Sequence, residues 1–70
     1  MNYHIISERT PLPGEHVIVL KNGTEESLIF GVLDNKWVWY VNYNVDGVES
    51  YKYCYVHISD EWRYDNDPKN

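Results

Sequence analysis

Cys54, His57, His4 and His16 are the residues of this chain with the types needed for metal or nucleophilic chemistry. A metal centre needs paired ligands at short spacing that converge with others elsewhere. Cys54 and His57 are three residues apart, so on a regular strand they point to opposite faces. His4 and His16 fall on different elements, and no paired spacing exists. A thiol nucleophile needs a depressed pKa beside a base. Cys54, between Tyr53 and Tyr55, reads instead as a small buried hydrophobe. Gly14, Gly23, Gly31 and Gly47 are isolated, so no phosphate-cradling loop is present. Asp60, Glu61, Asp65 and Asp67 do not match the spacing of a calcium loop. They read as a solvated tail or, alternatively, as carboxylates that meet basic groups on a partner. These residue types predict no enzyme, no metal and no cofactor.

The other chemistry on offer is aromatic. Seven of the eleven aromatic residues lie in two runs, Trp37 to Tyr43 and Tyr51 to Tyr55. Tyr and Trp supply much of the binding energy at protein interfaces. They also bury about 150–250 Å² each, which a small core needs. On strands, side chains alternate between faces. Trp37, Trp39, Val41 and Tyr43 then share one face, and Val38, Tyr40 and Asn42 the other. The second run places Glu49, Tyr51, Tyr53, Tyr55 and His57 on one side, and Val48, Ser50, Lys52, Cys54, Val56 and Ile58 on the other. Both faces carry rings: one must serve as core, and the tyrosines of the other either line the rim with wet hydroxyls or form a binding surface. The expected partner-binding residues are Tyr51, Tyr53, Tyr55 and Glu49, joined by Asp60, Glu61 and Trp62.

The elements that must hold these rings are strands. Tyr3 to Ile6 reads as a short first strand, and Thr10 to Glu15, with two prolines and a glycine, as a loop. Ser7-Glu8-Arg9 could start a single turn. His16 to Leu20 is apolar and β-branched, and Asn22-Gly23 after it is a strong hairpin signal. The next strand runs from Glu26 to Leu33. Gly31 in its interior predicts a bulge or the close approach of a ring. Asp34-Asn35 makes a tight turn into Lys36 to Tyr43, and Asp46-Gly47 another into a long final strand, Val48 to Ile58. Ser59 to Trp62 reads as a short helical turn capped by Ser59. The fold class is mainly β: one small antiparallel meander of four to five strands, with at most that helical turn near the C-terminus. Residues 1–70 form one domain, and residues 66–70 are expected to fray.

Size and charge narrow the function classes. A chain of 70 residues buries only about 60% of the surface its unfolded form exposes, so its margin of stability is small. A single cysteine excludes an internal disulfide and fits a reducing compartment. No leader pattern and no long apolar run is seen, so the expectation is a cytoplasmic protein without membrane contact. Eleven acids against six scattered Lys and Arg give a net charge of −5. That balance argues against nucleic-acid binding, which needs clustered cations, and suits a basic partner.

An aromatic start, Ile6-Ser7-Glu8, Leu12-Pro13-Gly14 and Val17-Ile18-Val19, followed by Phe30-Gly31 and Trp37, resembles the small phage and prophage domain of unknown function 551. The resemblance covers residues 3–40. The family's closing His-Trp-Met-Pro-Leu-Pro motif is absent from Val56 to Tyr64. The resemblance implies a small, mostly β product of a phage or mobile element, and brings no site residues. The combined expectation is a phage-encoded interaction protein that binds and modulates or inhibits a host protein in the host cytoplasm, an anti-defence type of accessory factor. The alternatives are a self-associating module that dimerises through the aromatic hairpin, and a small-molecule-binding domain.

Overall fold

The computed structural model describes residues 2–65. Six strands are present: β1 (His4–Ile5), β2 (His16–Lys21), β3 (Thr24–Leu33), β4 (Lys36–Val45), β5 (Val48–Tyr55) and β6 (Glu61–Tyr64). All pairings are antiparallel, in the order β1-β6-β2-β3-β4-β5. The all-β expectation holds, and β2 to β5 form the expected meander. The sheet has six strands rather than four or five, because Glu61–Tyr64 adds a strand out of meander order, and two further details differ from expectation. The last strand stops at Tyr55 rather than Ile58, and the helical turn over Ser59 to Trp62 is absent, as is any helix among the described residues. Instead Asp60 N donates to His57 O at 3.0 Å, closing a turn that launches β6. β6 then inserts between β1 and β2, with Trp62 opposite both His4 and Val19. A strand there satisfies its backbone on both sides and buries Trp62, which one isolated helical turn cannot do.

Three tight turns drive the meander. Asn22-Gly23, Asp34-Asn35 and Asp46-Gly47 all have positive φ at both positions, between 50° and 81°. This is the type I′ geometry whose twist matches a hairpin, and Asn, Asp and Gly adopt it with little strain. Gly47 N also donates to Asn44 Oδ1 at 2.9 Å, fixing the last turn. Leu12-Pro13-Gly14-Glu15 makes a fourth turn, with Glu15 N donating to Leu12 O at 3.1 Å and φ of 88° at Gly14. Proline in its second position and glycine in its third are what a type II turn requires. Gly14 and Glu15 both oppose Phe30: Gly14 N donates to Phe30 O, and Phe30 N to Glu15 O. That is a glycine bulge at the entrance of β2.

β3 changes partner along its length. Its first half pairs with β2, its second half with β4, and Ile29 faces both His16 and Tyr40. The two hairpin arms beyond Ile29 therefore run side by side without pairing. The β4–β5 arm projects, and the molecule is 40 Å long against 28 and 23 Å in the other directions.

One face of the sheet carries the core. Ile6, Val17, Val19, Phe30, Trp39 and Trp62 are all buried, with Leu28, Val56 and Tyr64 packed against them. The rings meet at angles that aromatic pairs favour: Phe30 and Trp39 centroids are 5.5 Å apart and Trp62 and Tyr64 4.9 Å, both edge-on. The chain between β1 and β2 crosses this face. Its turn after Ile5 is closed by Glu8 N and Arg9 N on Ile5 O, and Arg9 O accepts from Trp62 Nε1 at 2.8 Å. Trp39 Nε1 donates to Asp60 Oδ2 at 2.8 Å. Both buried indoles thus keep a polar partner.

Candidate functional site on the β4–β5 hairpin

Tyr51, Tyr53 and Tyr55 alternate along β5 and project from the face opposite the core. They are 54%, 46% and 47% exposed. Neighbouring centroids lie 6.0 and 5.8 Å apart, tilted by 32° and then nearly perpendicular at 79°. The β4 register places Asn42, Tyr40 and Val38 directly beside them. Tyr40 lies flat across Gly31: a Cβ built on Gly31 would sit 2.7 Å from the Tyr40 ring. The expected ring over Gly31 is therefore present, and the β3–β4 register runs without a bulge. Gly31, Val38, Tyr40, Tyr51 and Tyr53 floor a groove of about 510 Å³ whose far rim is Pro13 and Gly14.

Charge around the row is mostly acidic. Glu49 follows the tyrosines on the same side of β5, opposite Asn44. Tyr55 and, more weakly, Asp34 raise the Tyr53 hydroxyl above the usual tyrosine pKa, because a neighbouring negative charge disfavours the phenolate. The nearby cation, Lys36, has its Nζ 5.5 Å from the Tyr55 ring centroid.

The other expected site residues lie elsewhere. Glu61 sits on β6, with three strands between it and β5. Asp60 turns inward: besides Trp39 Nε1, its Oδ2 accepts from His57 N at 3.0 Å. Trp62 is fully buried and unavailable to a partner. The acidic run misled because proximity to a polar C-terminal segment suggested exposure, whereas the strand alternation of Glu61 to Tyr64 carries the opposite message. Asp67 and the expected fray at residues 66–70 lie outside the described residues.

Cys54 also departs from expectation, being exposed rather than buried. Its face of β5 extends past the core and over a second groove, of about 570 Å³, between the two hairpin arms. Lys21 Nζ reaches across that groove to Cys54 Sγ at 3.5 Å. Among the described residues, no three His, Cys, Asp or Glu side chains gather as a metal site would require.

A polar cluster that sequence reading missed ties down the far end of the sheet. Tyr3 donates its hydroxyl to Glu25, Arg63 lies 3.5 Å from the same carboxylate, and the guanidinium sits 5.9 Å from the Tyr3 ring centroid. The hydrogen bond from Tyr3 first, and then the Arg63 charge, hold Glu25 below the usual carboxylate pKa. Its residues come from three distant segments, so no local spacing announces it. No family model, curated protein or solved structure matches the chain.

Proposed function

We propose that this protein is a non-enzymatic interaction module that binds and modulates a host protein through the tyrosine face of β5, with Tyr51, Tyr53, Tyr55 and Glu49 as the contact residues. One observation carries the reading. Three large rings stand about half exposed on a face that the core does not use. A chain this short gains little by spending its largest side chains there unless something covers them, and contiguous exposed apolar surface marks interaction sites. The net charge of −5 favours a basic partner surface. The phage or mobile-element origin and the host cytoplasm as site of action rest on the resemblance of residues 3–40 alone.

The test is capture from bacterial lysate on immobilised wild-type protein and on the double variant Tyr51→Ser/Tyr53→Ser. A stoichiometric partner that wild type retains and the equally stable variant loses supports the reading. Equal capture by both, or none by either, rejects it. Self-association through the same hairpin is the second reading, favoured by the position of β5 at the sheet edge. Sedimentation of a monomer at millimolar concentration would remove it.

A further inference from the structure

The two edges of the sheet are built differently. β1 is two residues long, a length that offers a foreign strand almost nothing. β5 is eight residues long and pairs with β4 through eight consecutive residues, without a bulge or a proline. Among the described residues its outer side meets no other strand. Long, regular edges of this kind are normally blunted, because their unpaired N–H and C=O groups template the addition of another strand.

The phase of the β4–β5 ladder says which groups face outward. Val56 N donates to Trp37 O at 3.1 Å, so Trp37 and Val56 form a hydrogen-bonded pair. Hydrogen-bonded and non-hydrogen-bonded pairs alternate in an antiparallel ladder. Trp39–Cys54, Val41–Lys52, Tyr43–Ser50 and Val45–Val48 are then also hydrogen-bonded. The residues between them, Glu49, Tyr51, Tyr53 and Tyr55, turn their N–H and C=O groups to the free edge. These are also the residues whose side chains form the tyrosine face. Main-chain donors and acceptors, three rings and a carboxylate thus arrive at one edge from the same four positions.

We propose that the outer edge of β5 takes up an extended segment of a partner protein as an added strand, with arginine or lysine at alternate positions on the tyrosine side. This rests on the interaction reading above and specifies its partner. Three features select the cationic strand. Glu49 continues the tyrosine row on the same side of β5, opposite Asn44, and supplies a carboxylate beside Tyr51 in a chain of net charge −5. Lys36 over Tyr55 shows within the molecule the contact that an incoming cation would repeat over Tyr51 and Tyr53. Finally, the 79° angle between Tyr53 and Tyr55 breaks the row as a flat stacking platform. A second copy of this chain would bring another −5 to the same edge. A proline-rich segment would lack the N–H groups the edge can accept.

The experiment is an amide-resolved NMR titration of the full chain with a capped decapeptide alternating arginine and threonine. Two companion peptides carry N-methyl groups on alternate amides, one in each phase. The expected result is saturable binding with the largest shifts at the amides of residues 49, 51, 53 and 55. One N-methyl phase should bind roughly tenfold more weakly and the other about as well as the parent. Glu49→Lys should also weaken the parent peptide by about tenfold. Equal binding of both N-methyl phases, equal binding of an arginine-flanked polyproline decapeptide, or shifts centred away from β5 would overturn the proposal. So would sedimentation showing the peptide-free chain dimeric through β5. If the peptides fail while the double tyrosine variant still loses its captured partner, the interaction reading stands and the added strand falls. If that variant loses nothing, both fall.

Discussion

The two ends of the sheet spend similar residues in opposite ways. At the β1-β6-β2 end, Trp62 is fully buried, its indole is bound to Arg9, and Tyr3, Glu25 and Arg63 lock the reverse face. At the β4–β5 end, Tyr51, Tyr53 and Tyr55 are about half exposed and touch mainly each other. Aromatic content alone therefore says little about role. What separates the two ends is whether chain crosses over the rings. The segment between β1 and β2 covers the first end, and no described segment covers the tyrosine row. Folding needs the first arrangement, and a docking surface needs the second.

Truncation should expose this contrast most strongly at Trp62. Trp62→Ala should cost about 3–5 kcal/mol, as other buried large-to-small aromatic changes do, and leave the chain largely unfolded in urea titrations. A loss under about 1 kcal/mol would mean that the covered end is not the anchor. Asp60→Ala comes next. It removes the acceptor for Trp39 Nε1 and His57 N, and about 1–3 kcal/mol of stability should go with it. Thermal melting of Asp60→Ala beside Glu61→Ala separates a structural clasp from mere loss of an acid, since the Glu61 side chain makes no such hydrogen bond among the described residues. At the open end, Tyr53→Ser should change stability by less than about 1 kcal/mol. A drop as large as that of Trp62→Ala would make the tyrosine row a second core.

The smallest effect concerns pH. Glu25 has a lowered pKa in the fold because it accepts from Tyr3 and faces Arg63. A group depressed in this way stabilises the fold above its ordinary value of 4.5, and that contribution fades as pH falls through the lower folded value. Glu25→Gln should therefore flatten the acid limb of the stability curve below pH 4.5 and leave peptide binding at β5 unchanged. Glu25 is exposed, so the change should be slight; an unaltered acid limb would show that the cluster is not formed in solution.

Much of this was legible in the residues. The turn pairs Asn22-Gly23, Asp34-Asn35 and Asp46-Gly47 locate the hairpins, because few residues accept positive φ. Alternation assigns the faces of β4 and β5, and Gly31 announces a bulge or a covering ring, of which the ring, Tyr40, is present. What was not legible depends on distant partners. Glu-Trp-Arg-Tyr is too short to declare itself a strand, and Ser59-Asp60-Glu61 mimics a helix start. Only Val19 and His4, on either side of Trp62, make it part of the sheet. Cys54 was misplaced because its face is apolar only where it lies over the core. The row Tyr51, Tyr53, Tyr55 was legible as a set, whereas Asp60 and Trp62 were grouped with it through nearness to the acidic segment.

The insertion of β6 also predicts an order of assembly. β2 to β5 are joined by two-residue turns and can zip from neighbour to neighbour at little loop-closure cost. β6 pairs Val17 with Tyr64 across 47 steps of chain and Trp62 with His4 across 58, so its two ladders close the longest loops in the sheet. A meander formed early and a last strand docked late imply that Trp62 acts chiefly on the unfolding rate. Trp62→Phe should then speed unfolding far more than it slows folding in stopped-flow measurements. A molecule built in this sequence would have its tyrosine hairpin in place before its core is sealed, so the proposed docking surface would mature earlier than the stability that sustains it.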